Sequence, residues 1–121
     1  MRVALDAMGG DHAPRNTVAG AAMALKDLPH LTKLYLTGDE AQLKRELARV
    51  KCSDKRIEIV HASQVVEMSD HAVEAVRKKK DSSVNRAVDL VKRGDAEAVV
   101  SAGHTGAMVA STTIKLRTLE G

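Results

Sequence analysis

Aromatic residues are almost absent from this chain of 121 residues, which has no Phe, no Trp and a single Tyr, Tyr35. The interior must therefore be aliphatic, and a single-stranded nucleic-acid platform, which stacks bases on aromatic rings, has nothing to stack on. Cys52 is the only cysteine, so an intrachain disulfide and a zinc site built on several thiolates are excluded. No apolar run approaches the roughly 20 residues that a membrane-spanning helix needs. The first strand begins almost at once, without a charged leader, apolar core and cleavage site ahead of it. The expectation is a soluble, cytoplasmic protein. Charge of one sign is scarce too: 19 basic and 16 acidic side chains leave a formal +3. They alternate along most of the chain, so no nucleic-acid partner is expected.

What is present is an alternation. Arg2-Val3-Ala4-Leu5 reads as a buried strand that stops at Gly9 and Gly10, and Pro14 suits the first turn of a helix to about Lys26. Val18, Ala21, Ala22 and Leu25 recur there at helical spacing. Lys33 to Thr37 is a second strand, and Asp39 caps a helix carrying Leu43, Leu47 and Val50. Arg56 to Val60 is a third strand, with Val65-Val66 a further short extended piece. A helical turn or two follows, ending in Arg77-Lys78-Lys79-Lys80, and a new cap at Asp81 to Ser83 opens a helix whose stripe is Val84, Ala87, Val88 and Val91. Gly94 stops that helix. Ala96 to Val100 is a fourth strand, and a last helix runs from about Thr105 to Leu116.

Four alternations with short connections predict an α/β fold with a mostly parallel sheet flanked by helices. A length of 121 residues suits one compact domain and not two. The chain stops straight after a helix, where a βαβ pattern would continue. Residues 1–121 thus read as a single α/β domain or as the N-terminal fragment of a longer catalytic domain.

Three stretches could carry chemistry. At the first strand end, Asp11 and His12 could orient an anion or move a proton, an imidazole titrating near neutrality. Equally, Asp6 and Asp11 could cap the loop and the helix, with His12 in solvent. The second stretch, Ser101 to Ala107, has the composition of a backbone cradle: Gly103 and Gly106 admit close approach, and Ser101 and Thr105 offer hydroxyls beside a helix start. A tight turn fits it as well, and it is neither a GxGxxG fingerprint nor a Walker A loop. The third is the basic run, which complements a helix dipole, contacts phosphate or docks an acidic partner, with Ser82 and Ser83 as possible anion ligands. His30, His61 and His71 lack metal-like spacing and fit solvated or structural roles. Cys52 lies in a polar connection without a signal for activation.

Taken together, Leu5-Asp6-Ala7-Met8-Gly9-Gly10-Asp11-His12-Ala13-Pro14, Ala75-Val76-Arg77-Lys78-Lys79-Lys80-Asp81-Ser82-Ser83 and Ser101-Ala102-Gly103-His104-Thr105-Gly106-Ala107 resemble the PlsX-type phosphate acyltransferases of bacterial phospholipid synthesis. The similarity runs over essentially the whole chain and covers the N-terminal third of a typical member. The family's third motif usually has Asn where this chain has His104, a larger ring in place of an amide.

The resemblance implies a sheet related to the phosphotransacetylase and isopropylmalate dehydrogenase folds, a homodimer, and transfer of a fatty acyl group from acyl carrier protein to inorganic phosphate. The acyl phosphate formed would go to a membrane acyltransferase, and peripheral membrane association is implied with it. No metal or other cofactor is needed. On this reading Gly9, Gly10 and the loop Ser101, Gly103, His104, Thr105 and Gly106 form the cradle. Lys80, Ser82 and Ser83 bind phosphate, and Asp11 or His12 serves the proton. A phosphotransacetylase-like enzyme using acyl-CoA, or a phosphate-binding fragment without turnover, are the competing expectations.

Overall fold

The structure, a computed structural model, describes residues 1–67, 69–101 and 111–112. Its elements are β1 (Arg2–Asp6), α1 (Arg15–Asp27), β2 (Lys33–Gly38), α2 (Glu40–Arg49), β3 (Ile57–His61), α3 (Ala72–Lys78), α4 (Ser83–Lys92) and β4 (Ala98–Ser101). The expected parallel sheet is present: β1 pairs in parallel with β2 and with β4, and β2 pairs in parallel with β3. The strand order is β3-β2-β1-β4.

Alternation along each strand sends its side chains to two cores. Val3 and Leu5 of β1, Leu34 and Leu36 of β2, and Ile57 and Ile59 of β3 join Val18, Ala21 and Leu25 of α1 and Leu43 of α2. Ala4, Tyr35, Val60 and Val99 turn the other way, towards Ala87, Leu90 and Val91 of α4. Fully buried leucines such as Leu36 and Leu43 each contribute about 1.5–3 kcal/mol. The lone aromatic ring, Tyr35, lies under Lys33 Nζ at 5.6 Å.

Most boundaries follow local chemistry. Asp39 caps α2 as expected, its carboxylate accepting from the Gln42 amide at 2.9 Å. Ser82 caps α4, and Gly94 leaves the helix at a φ of +83° that favours glycine. Pro14 precedes the first helical residue of α1 and is joined to Ala13 by a cis peptide bond. The fourth strand starts two residues later than expected because the Ala96 amide still bonds to Leu90 O at the exit of α4. Val65-Val66 forms no strand; among the described residues the pairing beside it is a single bridge between Gln64 and Ser82. The expected helix from Thr105 to Leu116 falls largely outside the described residues.

Candidate functional site at the β1–β4 switch point

Beyond β1 the chain turns one way to β2, and the return to β4 places the last strand on β1's other side. The strand order therefore reverses at β1, and the carboxyl ends of β1 and β4 mark the candidate site, since open α/β sheets bind ligands at such a switch point. Asp6 and Ser101 face each other there in register. The Ser101 hydroxyl donates to Asp6 Oδ2 at 2.9 Å.

Asp6 is the centre of this edge and only 4% exposed. Its Oδ1 accepts from the Met8 amide at 3.2 Å, a turn bond that starts the glycine loop. The Ser83 hydroxyl bonds to the same carboxylate, and burial outweighs these donors, raising the Asp6 pKa above its ordinary value. The reading of Asp6 as a loop cap is thus realised, but by a buried group that links β1, β4 and α4. It was not among the expected site residues. A lone carboxylate ending an apolar strand was the signal available.

The loop itself splits into a buried and an open half. Gly9 is buried, whereas Gly10, Asp11 and His12 are exposed. Gly10 takes a φ of +102°, a conformation that glycine adopts without a Cβ penalty. Thr17 of α1 holds the loop in place by donating to Ala7 O and Pro14 O. On the far side, Met8 packs under Gly38, where a Cβ would come within 2.5 Å of Met8 Cγ.

The third wall is the start of α4. Thr37 Oγ1, fully buried at the end of β2, donates to Ser83 O at 2.7 Å. Ser82 and Ser83, expected to bind phosphate, are both buried. Their hydroxyls are engaged within the protein: Ser82 Oγ accepts from the Asn85 amide at 3.2 Å, and Ser83 meets Asp6. They fix the helix start rather than face solvent.

The basic run divides likewise. Lys79 Nζ is held by Asp70 Oδ2 at 2.7 Å and by Val65 O at 2.9 Å, whereas Arg77, Lys78 and Lys80 are exposed. Lys80 adjoins Asp81, whose carboxylate takes the amide and hydroxyl of Ser63 and the Arg86 guanidinium. These bonds hold the Asp81 pKa down at about 2. They also pin the turn that carries Lys80 to the chain leaving β3.

Asn85, unnoticed in the sequence, lies within the apolar stripe of α4 and is fully buried. Its Nδ2 donates to Val76 O and Lys79 O at 3.0 Å each, and its Oδ1 accepts from Ser111 Oγ at 2.6 Å. It closes the C-terminal end of α3 against α4. His61 takes a structural part: its Nδ1 accepts from the Glu40 amide at 3.1 Å at the start of α2. Gly103, His104, Thr105 and Gly106 lie outside the described residues. Among the described residues, no group of three or more His, Cys, Asp or Glu could hold a metal ion, and no helix is long and apolar enough to cross a membrane.

Residues 1–121 match the profile of a family described as "Fatty acid synthesis protein". The chain belongs to that family. Its curated relatives include proteins named phosphate acyltransferase from Akkermansia muciniphila, 54% identical over the whole of this chain and 35% of that protein, and from Fusobacterium nucleatum, 49% identical over the whole chain and 36% of that protein. Another, from Citrifermentans bemidjiense, is 49% identical over the whole chain and 34% of its own length. The chain spans about a third of the length of these relatives. The resemblance drawn from the three motifs is thereby confirmed at the level of the family.

Proposed function

We propose that the protein to which this chain belongs is an acyltransferase that moves a fatty acyl group from acyl carrier protein to inorganic phosphate, yielding an acyl phosphate for phospholipid synthesis. The observation that carries this reading is the glycine loop leaving β1 at the point where the strand order reverses, in a chain about half identical to proteins named phosphate acyltransferase. In this reaction a phosphate oxygen attacks the thioester carbonyl carbon. A C–O bond forms, a tetrahedral oxyanion develops, and the C–S bond breaks to release the carrier thiolate, which takes a proton. Phosphate is already a competent nucleophile near neutral pH, so the protein has to position it and stabilise charge.

In this proposal Gly9, Gly10 and the Ser101 to Gly106 stretch supply the cradle, and Lys80 supplies the cation. Ser82 and Ser83 act by holding the start of α4 and the Asp6 carboxylate. Asp11 or His12, exposed on the open half of the loop, orients the nucleophile or carries the leaving proton. Arg77 and Lys78, exposed at the end of α3, suit encounter with an acidic carrier protein, since complementary charge chiefly speeds association. A homodimer, a cytoplasmic location and a peripheral contact with the membrane belong to the same reading.

The test is phosphate-dependent release of free thiol from acyl carrier protein by the full protein, with acyl-CoA compared at matched concentration. Equal thiol release with and without phosphate would remove the transfer reading. Preference for acyl-CoA would replace the carrier protein as donor, and phosphate binding without turnover would leave only a binding role.

A further inference from the structure

Helices α1 and α2 cover β3, β2 and part of β1 on one face of the sheet, and α4 covers the other face. Beside α1, towards β4, the first face carries a groove of about 540 Å³. Val3 and Leu5 of β1 and Val100 of β4 form its floor, and Gly20, Ala24 and Leu28 of α1 form its wall. Among the described residues that line it there is no Asp, Glu, Lys or Arg.

We infer that this groove is an internal docking surface, in which an apolar helix from the part of the full protein beyond residue 121 is seated. The chain spans about a third of the length of its relatives, so most of the full protein remains to supply that helix. The inference rests on the family and the fold, and not on the acyltransferase reading.

Strand composition marks the face for burial. Val3-Ala4-Leu5 in β1 and Ala98-Val99-Val100 in β4 are continuous apolar runs, the pattern of strands covered on both faces, as all-parallel sheets are. Ala4 and Val99 are met by α4. Val100 points the other way and is 51% exposed.

Topology then decides which part of the protein can cover it. The steps from β1 to β2 and β3 run one way across the sheet with α1 and α2 on one face, and the step back to β4 puts α4 on the other. Right-handed crossovers require this arrangement. A strand added outside β4 would continue in the direction of that last step, so its connection would again run on the face of α4. Ser111 agrees, being buried with its hydroxyl donating to Asn85 of α4. The connection after β4 thus leaves Val100 bare, and the cover comes from later in the chain. The wall of α1 is low enough to receive it: a Cβ built on Gly20 meets nothing within 4 Å, which suits a helix packed about 8–10 Å from α1.

The experiment uses the full protein with p-benzoylphenylalanine in place of Leu28, exposed on the groove wall. The control carries it in place of Met23, exposed on α1 away from the groove. Isotopically light and heavy proteins are mixed and irradiated, and the linked peptides are identified by mass spectrometry. Position 28 should link to a peptide beyond residue 121, within chains of one isotope only, and position 23 should not reach that peptide. In parallel, Val100→Asp would place an unpaired carboxylate beneath the seated helix and should lower the melting temperature by several degrees.

Mixed-isotope links from position 28 would overturn the inference in favour of a second copy. Links confined to residues 1–121, no link at all, or the same peptide reached from position 23 would overturn it too, as would an unchanged melting temperature in Val100→Asp. If Val100→Asp fails to fold, the links alone decide.

Discussion

Ser101 at the end of β4 donates its hydroxyl to the buried carboxylate of Asp6 at the end of β1, at 2.9 Å. This bond ties the carboxyl ends of β1 and β4 together at the point where the strand order reverses.

The Asp6 carboxylate should make stability fall as pH rises. Burial raises its pKa in the folded chain above the ordinary 3.8, so over the interval between those values the folded state binds the extra proton. Its favourable contribution is complete below 3.8 and is lost as pH rises through the raised folded value. Asp6→Asn keeps a carbonyl acceptor for the Met8 amide and turns the other position into an amide donor that the Ser101 hydroxyl can accept by rotating; without the buried charge it is expected to match or exceed the parent's melting temperature at neutral pH. The advantage should vanish in acid. Asp6→Ala leaves those donors unpaired and should lose about 1–3 kcal/mol. Thermal melts of the three proteins across the acid range check the order.

Asp81 runs in the opposite sense. Ser63 and Arg86 hold its pKa at about 2 against an ordinary 3.8. Its contribution is present above 3.8 and disappears as pH falls through about 2. Asp81→Asn should flatten this acid limb of the stability profile. At neutral pH it should cost about 1 kcal/mol, as expected for a partly exposed pair with backbone bonds. An acid limb unchanged by the substitution would show that the turn at Ser63 is held by something else.

Gly38→Ala tests the packing beneath the glycine loop. The added Cβ would sit 2.5 Å from Met8 Cγ and 2.9 Å from Met8 Sδ, so the Met8 side chain must move. Overpacking of this kind costs about 1–3 kcal/mol. Adding Met8→Ala removes the obstructing atoms, and the pair should be less destabilising than the sum of the single changes. Strict additivity in urea unfolding would mean that the two sites do not touch.

Much of this arrangement could be read from the sequence because it is local. The cap at Asp39, the stop at Gly94 and the alternation of strands and helices depend on neighbours a few residues apart. Strand order depends instead on pairings such as Arg2 with Lys33 and Val3 with Ala98, which no local pattern specifies. The site suffered for the same reason. Lys79 looks like any member of a basic run until Asp70 is brought beside it, and Ser82 and Ser83 look like exposed anion ligands until α4 packs against β1 and β2. Asn85 was hidden differently: its partners are the C-terminal end of α3 and Ser111, so its burial follows only from helix packing.

Lys80 is the expected phosphate ligand whose charge remains open to solvent. In the full protein, Lys80→Ala should raise the phosphate KM about tenfold, a loss of about 1.4 kcal/mol of binding. The KM for the acyl thioester should change little. Lys80→Arg, which keeps the charge but alters its shape, should fall between the two. Because Lys80 is exposed and Asp81 anchors the turn independently, melting temperature should be nearly unaffected. Reduced phosphate affinity can then be separated from unfolding. An unaltered phosphate KM in Lys80→Ala would remove this residue from the site and shift the burden of anion binding to the backbone amides of the glycine loop.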